Sequence, residues 1–201
     1  MDPVISAVDP RSRRTRARVH RTVLAAADGS EDLGALTVAE LCRRAEVHRV
    51  TFYRHWPHLE AAIAEALTEI VDSLAEVDPA TIAAAESPDQ LAADYHGALV
   101  RQLEELARRR PVYQSLLTAA TPFATDLEAS LRRRAQLAID AFGTLGSPVP
   151  GARDGTAAAY LAGGVAAAFT VFVCGEEEDL LAAADRISAQ LPGWWPRRAA
   201  D

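Results

Sequence analysis

Alanine is the residue that most constrains what this chain can fold into. It occupies 42 of the 201 positions, and it has the highest helix propensity of the common residues because its methyl group loses no rotamer entropy. No stretch shows the period-two alternation of apolar and polar residues that is typical of a strand. The sequence therefore predicts an all-α protein whose small helices complete their cores by packing against a partner.

The cysteine count and the charge content exclude other classes of protein. Charged residues make up 24% of the chain and hydrophobic residues 49%, which opposes intrinsic disorder. Cys42 and Cys174 are the only cysteines, so a disulfide-stapled scaffold is excluded and a reducing cytoplasm is favoured.

The motifs of common catalytic and metal sites do not occur in the sequence. Four of the five histidines lie between His20 and His58, but no pair has the spacing or the cysteine neighbours of a metal site. No nucleophile-elbow or phosphate-loop pattern is present either. We therefore expect no enzyme activity, no metal and no cofactor.

Charge is distributed unevenly along the chain, although its net value is −7. Residues 11–58 contain 10 arginines and 5 acidic residues, whereas residues 59–201 contain 11 arginines and 21 acidic residues. The chain has no lysine. We call residues 11–58 the basic head and residues 59–201 the acidic body. This distribution of charge indicates that only the basic head binds a polyanion.

The basic head is predicted to contain three short helices. A polar arm at 11–16 leads into the first, which the segment 28–30 ends. Thr37 and Glu40 have the spacing of a capping box, and they open a second helix that ends near Ala45. A third helix covers 49–56 and is stopped by a proline.

The second and third of these helices have the pattern of a helix-turn-helix. Val47 supplies an apolar side chain in the turn, and Phe52 and Trp56, four residues apart, are expected to face inward. The outward positions of the third helix then suit a helix that enters the major groove, with donors for base edges and for phosphates. These positions are Arg49, Val50, Thr51, Tyr53 and Arg54.

The segment 37–57 resembles the DNA-binding signature of the TetR family of bacterial transcriptional regulators, and the resemblance in motif extends over residues 13–77. The matching positions are Thr37, Ala39, Leu41, Ala45, Val47, Thr51, Tyr53, Arg54, His55, Trp56, Glu60 and Ala61. The resemblance implies an all-helical homodimer with a three-helix DNA-binding domain at 13–57, preceded by a flexible basic arm at 1–12. It also implies a larger domain at 58–201 for ligand binding and dimerisation.

The resemblance implies roles for individual residues of the head. Tyr53 and His55 are expected to contact phosphates, Arg49 and Thr51 to face the groove, and Thr37 to cap the second helix near the DNA backbone. The helical pattern adds Arg54, as a contact to a base or a phosphate, and places Val50 on the same outward face.

Two positions of the head, and a third directly after it, depart from the family pattern. Glu46 stands where the turn usually has glycine, which predicts a strained or altered turn, or a slight shift of the third helix. His48 is a weak N-cap for the third helix. Leu59 replaces a frequent lysine, so one phosphate contact is expected to be missing.

The remainder of the chain is predicted to form further helices over 58–77, 88–110, 112–119, 122–145, 153–174 and 177–191. In the family, the helices of this domain line a ligand cavity. The resemblance therefore implies an unknown small-molecule effector that contacts some of the aromatic residues, the candidates being Tyr95, Tyr113, Phe142 and Tyr160.

The helices at 153–174 and 177–191 are expected to form the dimer interface. Residues 156–175 carry no charge, and a helix that is apolar nearly all round must be covered nearly all round. A membrane span is the alternative explanation of this segment. A helix buried between subunits is favoured because alanine, glycine and threonine dominate it.

These observations predict a cytoplasmic repressor that a small-molecule ligand releases from a palindromic double-stranded DNA operator. Two alternatives remain open. One is a protein of the same fold that binds a ligand but no operator, and the other is an all-helical enzyme that uses the cavity.

Overall fold

The computed structural model describes residues 9–29, 32–119 and 121–196, and these residues form α-helices and no strand. The predicted all-α fold class is confirmed. The helices are α1 (Pro10–Asp28), α2 (Val38–Ala45), α3 (Arg49–Tyr53), α4 (Leu59–Leu74), α5 (Pro79–Ala84), α6 (Pro88–Arg108), α7 (Arg110–Thr118), α8 (Pro122–Thr144), α9 (Thr156–Cys174) and α10 (Leu180–Ala189).

The chain divides into two compact units. The first reaches Leu67 and the second begins at Thr68, so the division falls within α4. The predicted domain limits, at 1–12, 13–57 and 58–201, stay a prediction.

In the first unit, α1 packs on α2 and α2 packs on α3. Val19 and Val23 of α1 are fully buried, as is Leu41 of α2. Phe52 and Trp56 are also buried, as their spacing predicts. This apolar contact fixes the position of the very short α3, which could not persist on its own because isolated helices of this length are unstable in water.

The start of α1 differs from the prediction of a flexible arm. The Asp9 carboxylate accepts a hydrogen bond from the Arg11 backbone N–H (3.0 Å), and Pro10 occupies the first turn. This cap and the proline start the helix at Pro10. The predicted arm at 1–12 is therefore wrong over residues 10–12, and its residues 1–8 lie outside the described part of the chain.

The third helix is shorter than the predicted 49–56. The backbone N–H groups of His55 and Trp56 both donate to the carbonyl of Phe52, which closes the helix into a turn. The helix ends at Tyr53, but Trp56 keeps the buried position that the helical spacing predicted.

In the second unit, α8 and α9 form the most extensive helix pair, and α6, α7 and α10 pack around them. Arg110 at the start of α7 holds the end of α9. Its Nη1 donates to the carbonyls of Phe172 (2.6 Å) and Gly175 (2.8 Å), and its Nη2 to that of Glu177 (2.7 Å). A guanidinium at a helix C-terminus satisfies carbonyls that lack helical partners.

Two helices of the second unit begin later than predicted. Gly155, in the left-handed conformation at φ 78°, precedes α9, and the Asp154 carboxylate accepts from the N–H of Thr156 (2.9 Å), so α9 begins at Thr156 and not at 153. Likewise, the Asp179 carboxylate accepts from the N–H of Ala182 (3.0 Å), and α10 covers 180–189 instead of 177–191.

The short α5 was not predicted. Asp78 caps it by accepting from the N–H of Ala80 (2.7 Å). The sequence predicted a break between helices at 88–110 and 112–119, and the structure places this break at Arg109, whose φ of −120° separates the end of α6 from the start of α7.

Candidate functional site

The helix predicted to enter the major groove, α3, is called the predicted recognition helix. Together with Arg54, which follows it, this helix presents most of its outward side chains to solvent. Val50 is 84% exposed and Tyr53 is 55% exposed. Arg49 and Arg54 are exposed as well, whereas Thr51 is half-buried. The outward face therefore carries two guanidinium groups and a phenol, which are donors for phosphates and base edges.

Two aromatic residues anchor this helix from beneath. The Phe52 and Trp56 rings lie 5.2 Å apart, and the Tyr53 ring packs edge-on against Phe52 at 5.5 Å. The Trp56 indole N–H donates to a Glu65 carboxylate oxygen at 2.9 Å. Tyr53 thus has a supported ring and an exposed hydroxyl, which is the arrangement that a phosphate contact needs.

Glu65 of α4 joins three elements of the first unit. Besides Trp56, it receives hydrogen bonds from Arg16 Nη1 (3.0 Å) and His20 Nε2 (3.1 Å), both on α1. Burial opposes ionisation of Glu65, but hydrogen bonds from His20 and Trp56 and the charge of Arg16 outweigh it. The pKa of the Glu65 carboxyl therefore lies below its ordinary value. The ionised Glu65 thus ties Trp56, which follows α3, to α1.

The turn between α2 and α3 contains a backbone conformation that is rare for a side chain. Glu46 has φ 53° and ψ 46°, and it is the only non-glycine residue with positive φ in the described part of the chain. The predicted unusual turn at Glu46 is thus confirmed. Val47 N–H closes the turn by donating to the carbonyl of Cys42 (3.0 Å).

The caps of α2 and α3 differ in strength. The Thr37 hydroxyl accepts from the N–H of Glu40 (3.2 Å), as predicted. Hydrogen bonds from Arg43 and Arg44 lower the pKa of the Glu40 carboxyl to about 2. His48 makes no side-chain cap for α3, as its residue type predicted.

Several cations of the first unit are available to a polyanion. Within the described ranges, six arginines make no ion pair: Arg11, Arg13, Arg14, Arg21, Arg49 and Arg54. Burial and the nearby charges of Arg16 and Arg54 lower the pKa of His55, which disfavours the charged imidazole.

The second unit contains a cavity of about 120 Å³. Its wall is mostly alanine, leucine, valine and isoleucine, and Trp195 closes one side. The polar side chains that reach it include Tyr95, Gln102 and Arg134.

The four aromatic residues predicted to contact a ligand lie in different environments. Tyr95 lines the cavity. Phe142 is fully buried and packs edge-on against Tyr95 and Trp195 behind the wall. Tyr113 is fully buried elsewhere, with its hydroxyl donating to Glu105 (2.8 Å). Tyr160 is 67% exposed on α9.

Arg134 is a cavity residue that sequence reasoning missed. Its Nε and Nη2 donate to both oxygens of Asp72 (3.1 and 2.6 Å), and Ser130 donates to the same carboxylate. Burial opposes ionisation of Asp72, but these hydrogen bonds and the charge of Arg134 keep the pKa of its carboxyl below the ordinary value. The two partners lie 62 residues apart in the sequence, so no local pattern could pair them.

One face of α9 is buried and the other is open. Leu161, Phe169 and Phe172 lie in the core of the second unit. On the opposite face, Tyr160 and Val171 are 67% and 74% exposed. By length and composition alone α9 could cross a membrane, a criterion that core helices of soluble proteins also meet.

The described residues contain no group of three histidine, cysteine, aspartate or glutamate side chains that could hold a metal ion.

Comparison with known proteins supports this architecture at the level of the fold. No protein-family model and no curated protein sequence matches the chain. A solved TetR transcriptional regulator from Rhodococcus sp. RHA1 is similar with a TM-score of 0.59 and 20% identity, over 90% of this chain and 100% of that one. The dihydroxyacetone kinase operon activator DhaS is similar with a TM-score of 0.56 and 14% identity, over 88% of this chain and 93% of that one. The chain therefore has the TetR fold, which confirms the resemblance in fold that residues 37–57 indicated.

Proposed function

We propose that this protein is a cytoplasmic, homodimeric transcriptional repressor that leaves its DNA operator when a small molecule occupies the cavity of the second unit. One observation carries the proposal. The exposed side chains of α3 are those of Arg49, Val50 and Tyr53, the exposed Arg54 directly follows it, and the helix is anchored by buried Phe52 and Trp56. A purely structural helix would have no need of free guanidinium groups on its outer face.

The electrostatics of the first unit support DNA as the partner. The unpaired arginines of α1 and α3 belong to the basic head, whereas the rest of the chain is acidic. Arginine contacts to phosphates release condensed counterions, so affinity for DNA depends steeply on salt. An acidic body disfavours unspecific contact away from the head.

Dimerisation through α9 and α10 is supported by the open face of α9. Gly164 and Ala167 lie between Tyr160 and Val171 on this exposed face, and small residues let a second helix approach closely. On α10, Leu181 is also exposed, at 61%. A second copy covering this face through a two-fold axis would form a four-helix interface.

The two-fold axis of the dimer predicts the symmetry of the DNA operator. Two recognition helices related by such an axis read half-sites about 34–36 Å apart along the DNA. We therefore expect a roughly palindromic operator, and we expect effector binding to favour a spacing that no longer fits it.

A salt titration with random-sequence duplex DNA tests DNA binding most simply. The logarithm of the affinity should fall steeply with the logarithm of salt concentration, and Arg54→Ala should reduce the slope by about one. Arg153→Ala, an exposed arginine of the second unit, is the matched control and should leave the slope unchanged. Binding that is absent, or insensitive to salt, would favour a ligand-binding protein or enzyme of the same fold.

Activation is a second candidate, because one structural neighbour is an operon activator. A reporter gene behind the selected operator separates the two. Repression predicts higher expression when the gene for this protein is deleted, and activation predicts lower expression.

A further inference from the structure

We infer that the cavity of the second unit binds a compact, uncharged carbonyl compound with an apolar body, and that the Tyr95 hydroxyl and Arg134 Nη1 hold its oxygen. The inference rests on the proposed function, in which this cavity holds the effector. The size of the cavity, the hydrogen-bond donors in its wall and the charged groups around Arg134 support this assignment of the ligand.

The size of the cavity limits the ligand to one ring with a small substituent. Its volume is about 120 Å³, and an apolar protein cavity of about 150 Å³ takes up benzene. Aliphatic side chains such as Leu99, Leu131 and Val165 form most of the wall, so the body of the ligand must be apolar.

Two donor groups in the wall have unused hydrogen-bonding capacity. Among the described residues, the Tyr95 hydroxyl has no hydrogen-bond partner, and the bonds of Arg134 to protein groups use Nε and Nη2 and leave Nη1 unbonded. Burial is the main cause that raises the pKa of Tyr95 to about 12, so the hydroxyl keeps its proton. Tyr95 and Arg134 line the same cavity.

A phenol and a guanidinium N–H are both donors, and a carbonyl oxygen accepts two hydrogen bonds through its two lone pairs. A hydrocarbon of the same shape would leave both donors without a partner, which costs binding free energy.

The local charge favours a neutral ligand over a carboxylate. Arg134 is already paired with Asp72 and lies 3.7 Å from a Glu76 carboxylate oxygen. A ligand carboxylate would add a third negative group beside one guanidinium, and like charges in a partly buried site repel each other.

Three probes of similar size and shape separate the contributions of the apolar body, the carbonyl oxygen and a negative charge to binding. Acetophenone has the ring and the carbonyl oxygen, α-methylstyrene replaces that oxygen with a methylene group, and benzoate replaces the methyl group with a charged oxygen. Calorimetric titration of the full chain should give an affinity for acetophenone about tenfold above that for α-methylstyrene, the effect of one to two hydrogen bonds. Benzoate should bind more weakly than acetophenone.

Tyr95→Phe tests the assigned donor while the ring keeps its packing against Phe142 and Trp195. It should lower the acetophenone affinity about three- to tenfold and leave α-methylstyrene unchanged. Tyr160→Phe, on the exposed face of α9, is the matched control and should change neither. Ala135→Leu should fill the cavity and weaken both probes.

Several outcomes overturn the inference: no binding of any probe, equal binding of acetophenone and α-methylstyrene, tightest binding of benzoate, or an unchanged preference in Tyr95→Phe. The salt titration on DNA is made without any probe and tests the proposed function separately. If acetophenone binds as expected while DNA does not, the proposed function is wrong and the assignment of the cavity stands.

Discussion

The Arg18 guanidinium donates a hydrogen bond to the backbone carbonyl of Glu46 at 3.2 Å, and Glu46 is the residue held in the left-handed conformation between α2 and α3. Arg18 thus ties α1 to the one turn that sets the direction of the recognition helix. The left-handed conformation costs a residue with a Cβ atom about 1 kcal/mol relative to glycine.

We expect Glu46→Gly to stabilise the first unit by about 1 kcal/mol, because glycine adopts this conformation without strain and keeps the carbonyl that Arg18 binds. Urea denaturation measures the change. Glu46→Ala is the control, since it removes the same carboxylate but retains the Cβ atom, and it should give no comparable gain. Equal stabilisation by both variants would show that charge, and not backbone strain, is the cause.

The recognition helix gives two separable predictions for DNA affinity. Tyr53→Phe removes a hydroxyl from an exposed ring that packs on Phe52. We expect DNA binding to weaken by about 1 kcal/mol on every sequence, because a phosphate contact carries no sequence information. Fluorescence anisotropy with several duplexes measures this change. Tyr95→Phe serves as the control, and a Tyr53→Phe affinity equal to wild type at several salt concentrations would remove Tyr53 from the contacts.

Arg49→Ala should instead change sequence preference. Its guanidinium lies at the N-terminal end of α3, where side chains of a recognition helix reach base edges. We expect a loss of about 1–3 kcal/mol on the preferred operator and a relaxed preference at one position of each half-site. Competition between the operator and single-base variants of it measures the preference. An equal loss on random DNA would assign Arg49 to a phosphate.

Glu65 predicts how the first unit responds to acid. The pKa of its carboxyl in the folded protein lies below the ordinary value of 4.5. The ionised group therefore stabilises the fold at pH values above 4.5, and this stabilisation is lost as the pH falls through the lower, folded-state pKa. Glu65→Gln should lower stability at pH 7 by about 1–2 kcal/mol and should flatten the loss of stability below pH 4.5.

Glu60→Gln is the matched control for this prediction, because Glu60 is an exposed carboxylate on the same helix. Denaturation curves between pH 7 and pH 3 should be nearly those of the wild type for this variant. If Glu65→Gln keeps the full pH dependence of the wild type, the interactions of Glu65 with Arg16, His20 and Trp56 do not stabilise the fold.

The dimer is tested with Gly164→Leu. Gly164 is exposed and a Cβ atom at this position meets no atom within 4 Å, so we expect the leucine side chain to extend from the open face and obstruct a partner. We expect dissociation into monomers in analytical ultracentrifugation, with an unchanged helix content. Gly143→Leu on α8, where the Cβ atom also meets nothing within 4 Å, should remain dimeric. A wild-type protein that sediments as a monomer at micromolar concentration would contradict the interface.

The helix-turn-helix could be predicted from the sequence because its signals are local. Thr37 lies three residues from the N–H that it caps, and Phe52 and Trp56 lie four residues apart on one side of a helix. The resemblance to a known family added the roles of the outward residues, and the exposed positions of Arg49, Tyr53 and Arg54 are those that it implies.

The contacts that support the site could not be predicted, because they join distant parts of the chain. Arg16 and Glu65 are 49 residues apart, and Asp72 and Arg134 are 62 residues apart. The aromatic residues predicted to contact a ligand also depend on contacts that the sequence does not reveal. Residue type alone does not distinguish Tyr95, which lines the cavity, from Tyr113, whose hydroxyl is bound to Glu105 in the core.

The most direct test of the account is to let the purified wild-type protein select DNA fragments from a random pool and to sequence them. We expect one enriched motif with two inverted half-sites. The centres of the half-sites should lie about one helical turn of DNA, or a small multiple of it, apart. Arg49→Ala should select a motif that is degenerate at one position of each half-site. A pool without any enriched motif, or a single half-site without its inverted repeat, would contradict the proposal of a dimeric operator-binding regulator.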